Sequence, residues 1–258
     1  TKEEPLGAKI VKGVEESKGE VISILEDDDL WLPQRLEVVK EVFNDKNVVY
    51  YHNNFLNFVE SISSDLIQKV NVNGDSKMLK LKGTDVMDFG APFNNSSISV
   101  RKDIFYVDVL DRIKKVYSSI DVLLFYLALC YNGEFVLDNR ILTLRRVHKT
   151  NSSLHTLVDY NGWIENLSKV SKQCVNDNLV FIDIFSAVEC KFSSEYKSKL
   201  ISYFKSEYLT WKVIYSRLPN TENELTFREL ISYLRYHRNP REFIYGFLPF
   251  APRKIKEY

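Results

Sequence analysis

The sequence carries no net charge, few cysteines and no apolar run long enough to cross a bilayer. Lys plus Arg and Asp plus Glu each number 35, so the formal charge at neutral pH is zero. Nucleic-acid binders concentrate positive charge to meet phosphates, so no nucleic acid is expected among the partners. The three cysteines, Cys130, Cys174 and Cys190, match no metal or redox spacing. They read as free thiols, used as small core residues in a reducing compartment. The most apolar stretch, Val122 to Tyr131, falls far short of the roughly 20 residues a spanning helix needs. The sequence opens on Thr1 with neither an initiator Met nor a leader-like segment, and the expected location is the cytoplasm. In that setting the sequons at Asn95, Asn151 and Asn166 read as chance. Internal repeats and low-complexity tracts are absent from the sequence.

What is present is ample core-forming material. The 258 residues are 45% hydrophobic and 13% aromatic, enough for one large domain or a domain with an appendage. The first half alternates between two periodicities. Ala8 to Lys18 places Ile10, Val11 and Val14 on one helical face, and Gly19 stops the helix. Val21 to Leu25 is a short apolar run of the kind buried on both faces in a parallel sheet. Pro33 opens a second helix with Leu36, Val39 and Phe43 on one stripe. Val48 to Tyr51 reads as the next strand. This alternation is the α/β signature.

From Asn53 to Phe89 the sequence is polar and poorly periodic, with a turn at Asn73-Gly74-Asp75. Ser97 to Val100 reads as a strand, Asp121 to Cys130 as a buried helix, and Phe135 to Leu137 and Ile141 to Val147 as two strands. Beyond Leu154 the pattern turns helical, through Trp163, Leu167, Val170 and Cys174, then Ile201, Phe204 and Tyr208. Thr226-Phe227-Arg228-Glu229 is a capping box. The expected division is therefore 1–153 for the α/β body and 154–258 for a mainly helical region.

The chemistry points to Glu26-Asp27-Asp28-Asp29, directly after the first strand. Ligands in open α/β sheets bind beyond the carboxyl ends of strands. Four adjacent carboxylates repel one another, and a hard divalent cation with oxygen ligands relieves that repulsion. The alternative is that these acids cap the next helix and favour its dipole. Asp121 has two readings as well, a base or a charge at a helix N-terminus. His148 reads as a ligand or as a hydrogen-bonded histidine.

The run from Gly7 to Leu36, with Lys18-Gly19-Glu20, the apolar strand and Glu26-Asp27-Asp28-Asp29-Leu30-Trp31-Leu32-Pro33-Gln34-Arg35-Leu36, resembles the middle of family 2 glycosyltransferases of the GT-A fold. The likeness is continuous over about thirty residues. Asn95 to Lys102 resembles the family's acceptor-side strand. Ser119-Ile120-Asp121-Val122-Leu123-Leu124 resembles the start of its catalytic helix, with Ile120 in place of an acid. Arg146 to Ser153 resembles its closing arginine-histidine segment. Glu26 stands where the family carries the first Asp of its Asp-x-Asp motif, and Asp28 stands on the second. The likeness covers roughly Gly7 to Ser153.

The resemblance implies a three-layer α/β/α sandwich with a mostly parallel sheet, lacking the first strands, which are expected to precede Thr1. It implies an inverting, metal-dependent glycosyltransferase acting between a nucleotide diphosphate sugar and a saccharide or lipid-linked hydroxyl acceptor. Asp121 would be the catalytic base. Glu26, Asp27 and Asp28 would face the donor, and Ser96, Ser97, Asp29 and Trp31 the acceptor side. Asp28, Glu26 and His148 would hold Mn²⁺ or Mg²⁺. The alternative is a catalytically inactive GT-A binding or scaffold module. Phe243 to Lys256, six large apolar side chains with Arg253, Lys254 and Lys256, admits two readings. It is either core packed on the helical region or a peripheral attachment to the inner face of the cell membrane.

Overall fold

The computed structural model describes residues 4–59, 70, 77–87, 92, 94–148, 159–219, 221 and 224–236. Its body opens with α1 (Leu6–Glu16), β1 (Val21–Ser23), β2 (Leu30–Trp31), α2 (Arg35–Val42) and β3 (Val48–Phe58). Next come β4 (Met78–Lys82), α3 (Thr84–Met87), β5 (Ile98–Arg101), α4 (Leu110–Ile113), α5 (Ile120–Tyr131) and β6 (Glu134–Arg146). Three helices follow: α6 (Tyr160–Ala187), α7 (Ser194–Arg217) and α8 (Phe227–Tyr236). The turn expected at Asn73-Gly74-Asp75 and the tail from Phe243 to Lys256 lie outside the described residues.

The strands form one mixed sheet in the order β1-β5-β3-β6-β2, with β4 also paired to β6. The expected mostly parallel sheet is corrected here. Among the described strands β3 and β6 pair in parallel, while β1–β5, β3–β5, β2–β6 and β4–β6 are antiparallel. The apolar run after Gly19 misled because unbroken hydrophobicity reports burial, not the direction of a neighbour. β1 and β3 both oppose β5, and β6 runs with β3, so β1, β3 and β6 point the same way. Their carboxyl ends therefore meet at one edge, with the amino end of β5. That edge carries the candidate site.

β6 is one strand, not the two expected, because the polar Asp138-Asn139-Arg140 interruption is internally satisfied. The Asp138 carboxylate accepts from Tyr51 Oη at 2.8 Å and from Arg140 Nη2 at 2.7 Å. β4 hides in a polar stretch because its exposed lysine is held by ions: Lys80 pairs with Asp45 and Glu134.

α5 is apolar all round and lies against β3 and β6, where Tyr50, Phe125 and Phe135 pack ring on ring. It ends at Asn132, whose left-handed φ of 67° closes the last turn. α1 approaches the end of α4 so closely that a Cβ on Gly7 would run into the Ile113 carbonyl. The main core takes in side chains from both sides of residue 154, since Phe181, Ile184, Phe185 and Phe204 are buried with Val11, Ile98, Leu124 and Phe125. A second cluster of Leu209, Val213, Leu225, Leu230 and Tyr233 joins α7 to α8. The capping box at α8 forms as read, with Thr226 N and Oγ1 each donating to Glu229 Oε2 at 2.8 Å. Among the described residues no helix is long and apolar enough to cross a membrane.

Candidate functional site

Glu26 to Asp29 form a turn between β1 and β2, closed by Asp29 N–H donating to Glu26 O at 3.2 Å. The four acids take separate environments, which is how the chain relieves their repulsion. Asp27 is exposed and Asp29 is buried. Asp29 Oδ1 accepts from the Arg146 N–H at 2.9 Å, tying the turn to the end of β6. Just beyond that end, His148 Nε2 lies 2.8 Å from Asp28 Oδ2. Glu26 turns instead to Asn95, whose Nδ2 donates to its Oε1 at 3.1 Å. Two of the three expected ligands thus meet and the third stands apart. No group of three His, Cys, Asp or Glu residues is arranged to hold a metal ion among the described residues.

A tight turn over Asn94 to Ser97 joins the parts. Asn94 has a φ of 93°, a strained value for a residue with a Cβ but one that asparagine tolerates. Its side chain accepts from Ser96 N–H at 3.2 Å, repaying part of that strain locally. Ser96 is wholly buried, and its Oγ accepts from the Glu26 N–H at 3.0 Å. Ser96 O accepts from Trp31 Nε1 at 2.7 Å. Ser97 is also wholly buried, and its Oγ accepts from Asn94 Nδ2 at 3.3 Å. Both serines are therefore framework; neither hydroxyl reaches open solvent. Trp31, expected on the acceptor side, is bonded inward and only half-buried.

On the other side of this turn sits Asp121, in the first turn of α5. Its Oδ1 accepts from Val122 N–H at 2.9 Å and its Oδ2 from Asn94 N–H at 3.4 Å. Its neighbour Ile120, where the family has an acid, is wholly buried in the core. Asp121 keeps partial exposure while lying deep among protein atoms. Burial pushes its carboxyl up, hydrogen bonds from Val122 and Asn94 pull down, and the charge of Asp177 pushes up again. Burial also raises Glu26, opposed by the Asn95 bond and aided by Asp29, Asp28 and Asp121. Asp29 is raised by burial too, against hydrogen bonding by Ser96 and Arg146. The same end of the sheet thus gathers carboxylates with increased proton affinity, as acid–base sites do.

Beneath the turn lies a buried polar floor that the sequence reading missed. Arg35 is wholly buried, its Nε donating to Asn53 Oδ1 at 2.8 Å and its guanidinium 4.2 Å from the Trp31 ring centroid. Asn53 Nδ2 donates to Thr143 Oγ1 at 2.9 Å, and Thr143 Oγ1 donates to Ser96 O at 3.2 Å. Asn94 and Asn95 were missed as well, because asparagines in a polar loop look like any turn. The one available signal was their position just before a buried strand.

No family model and no curated protein sequence matches this chain. Among solved structures it is similar to S. aureus TarS 1-349, at 9% identity and a TM-score of 0.44, covering 89% of this chain and 58% of that one. It is also similar to S. aureus TarS 1-349 in complex with UDP-GlcNAc, at 10% identity and a TM-score of 0.48, covering 100% of this chain and 72% of that one. This chain therefore spans 58% of the length of the first of these structures. Likeness at that level decides neither substrate nor chemistry; the side chains must.

Proposed function

We propose that this chain belongs to a glycosyltransferase that moves a sugar from a nucleotide diphosphate sugar to the hydroxyl of a saccharide or lipid-linked acceptor, with inversion at the anomeric carbon. The observation that carries it is the linkage of two chemical poles through one turn. Asp28 with His148 forms one pole and Asp121 the other, and Asn94 to Ser97 bonds to Asp121 on one side and to Glu26 and Trp31 on the other.

Asp121 acts as the general base. Its proton affinity is raised, with burial the leading cause, which strengthens it as an acceptor of the hydroxyl proton. The Val122 and Asn94 N–H groups fix both carboxylate oxygens, so the orbital that receives the proton is aimed before substrate arrives. The acceptor proton passes to Asp121, the acceptor oxygen bonds to the anomeric carbon, and the bond to the diphosphate oxygen breaks. Its electron pair leaves with the nucleoside diphosphate. Attack opposite the departing group inverts the centre.

Asp28 and His148, whose side chains meet at 2.8 Å, are the residues that would hold a divalent cation. A mixed oxygen and nitrogen pair favours Mn²⁺ over Mg²⁺. Such an ion, when bound, supplies positive charge to the departing diphosphate. Glu26, bonded to Asn95, is better placed to meet donor hydroxyls than to ligate. Asp27 faces solvent at the same turn and is available to the donor. Asp29 holds the turn to β6 and so orients its neighbours.

Ile120 in the core position of the motif favours the second reading, an inactive module that keeps the fold. One assay separates the two: release of nucleoside diphosphate from a panel of nucleotide diphosphate sugars, with Mn²⁺, by the intact protein. Release that depends on Asp121 supports the transferase, and its absence across the panel supports the inactive module.

A further inference from the structure

The short segment leading into α5 is held from two sides. From the front, Leu6 and Gly7 at the start of α1 donate their N–H groups to Tyr117 O at 3.3 Å and Val116 O at 2.9 Å. From the rear, α6 brings Asn176 and Asp177. Asn176 Nδ2 donates to Lys115 O at 3.2 Å. Asp177 is wholly buried and its carboxylate accepts four hydrogen bonds. They come from Tyr117 N–H at 2.6 Å, Ser118 N–H at 3.0 Å, Ser118 Oγ at 3.1 Å and Ser119 N–H at 3.0 Å.

This is not how a helix N-terminus is usually closed. Ser119 occupies the N-cap of α5, a position where its own hydroxyl ordinarily accepts from the first turn. Here it makes no such bond. Its hydroxyl interacts with Cys174 of α6 instead. A local cap would stabilise α5 without help from the rest of the chain. The protein uses a carboxylate 58 residues away in sequence, on another helix. The two-residue step from Ser119 to Asp121 is thereby fixed relative to α6, and Asp121 relative to the Asn94 turn.

We propose that Asp177 is a positioning residue for Asp121: it clamps the Tyr117–Ser119 backbone so that the base faces the acceptor hydroxyl. This inference rests on the transferase reading of Asp121. The helical rear then has a role in catalysis beyond packing. Among the described residues, titratable groups within electrostatic reach of Asp121 include Glu26 after β1, Tyr50 on β3 and Cys174 on α6. Burial is the leading cause of the raised Asp121 carboxyl, and Asp177 adds to it. Removing the Asp177 charge therefore lowers the Asp121 pKa.

The test uses the intact protein, the panel of nucleotide diphosphate sugars with Mn²⁺, and carboxyl ¹³C titration of Asp121. The Asp121 signal is assigned by its loss in Asp121→Asn. Asp177→Asn is expected to lower the Asp121 midpoint, to move the acidic limb of the kcat profile to lower pH, and to cut kcat by about 10-fold to 10²-fold through misplacement. The donor KM should stay put, since Asp28 and His148 are untouched. In an Asp121→Asn background the same change should cost almost nothing further. Asp177→Glu keeps the charge but adds a methylene, so it should keep the acidic limb in place while lowering kcat. If Asp177→Asn does not fold, Asp177→Glu carries the test, with its loss expected only when Asp121 is present. An unmoved Asp121 midpoint in Asp177→Asn, or equal losses with and without Asp121, overturns the assignment. If the unaltered protein consumes no donor, the transferase reading falls alone, and the carboxyl titration still decides whether Asp177 strengthens Asp121.

Discussion

Arg35→Met separates stability from function at this site. The guanidinium is wholly buried, and burial pulls its pKa down to about 10 from 12.5. Keeping the charge inside therefore costs about 3 kcal/mol relative to water. One of its nitrogens, Nη1, is buried without a partner. Against that cost stand the bond to Asn53 Oδ1, two longer bonds to Ser99 Oγ at 3.3 Å and Ile98 O at 3.4 Å, and the stack on Trp31. Stripping the donor from Asn53 costs about 1–3 kcal/mol, and losing a desolvated cation–π contact costs about 2 kcal/mol. Methionine refills much of the volume without a charge. The terms nearly cancel, so the variant should lose only about 0–2 kcal/mol in urea unfolding. Turnover should fall by about 10-fold or more, because Trp31 and the Ser96 carbonyl lose their floor. A loss of more than about 4 kcal/mol, or turnover left intact, would refute the reasoning.

Asp28→Ala should abolish transfer while leaving the melting temperature within a few degrees, since a half-exposed side chain in a repelling turn adds little to the core; retained turnover removes Asp28 from the mechanism. Asp121→Asn keeps the shape but cannot take a proton, so kcat should drop by about 10²-fold or more, and a loss of only about twofold would make Asp121 a helix charge. The raised carboxyls of Glu26, Asp29 and Asp121, each raised first by burial, set a sign for pH. A folded-state pKa above the unfolded one means stability that is fully present at acid pH and lost as pH rises through the folded values. Asp121→Asn should therefore gain stability relative to the unaltered protein as pH is raised from the acid range to neutral, and chemical unfolding across that range would contradict this by showing a constant difference. Deletion after Glu242 tests the tail: anionic vesicles should pull down the intact protein in a salt-sensitive way and not the truncated one, whereas loss of folding on truncation makes the tail core.

Most of the helices were legible because they rest on local patterns. The stripe of Ile10, Val11 and Val14, the apolar α5 and the Thr226–Glu229 box each appear where periodicity and capping chemistry put them. The meeting of Asp28 with His148, 120 residues apart, was legible only through resemblance, since no local pattern reports it. Three things were not legible. Strand direction depends on which neighbour a strand finds, and apolar content is silent on that. The continuity of β6 through Asp138 depends on Tyr51 and Arg140 satisfying a buried charge. Arg35 and Asp177 look like ordinary surface charges in sequence and become buried only because their partners lie far along the chain.

The central claim is tested most directly by incubating the intact protein with the panel of nucleotide diphosphate sugars and Mn²⁺ and measuring nucleoside diphosphate release. The account predicts release from at least one donor, abolished by chelation and by Asp28→Ala and reduced about 10²-fold by Asp121→Asn. Release that continues undiminished in both variants, or no release from any donor, would contradict it.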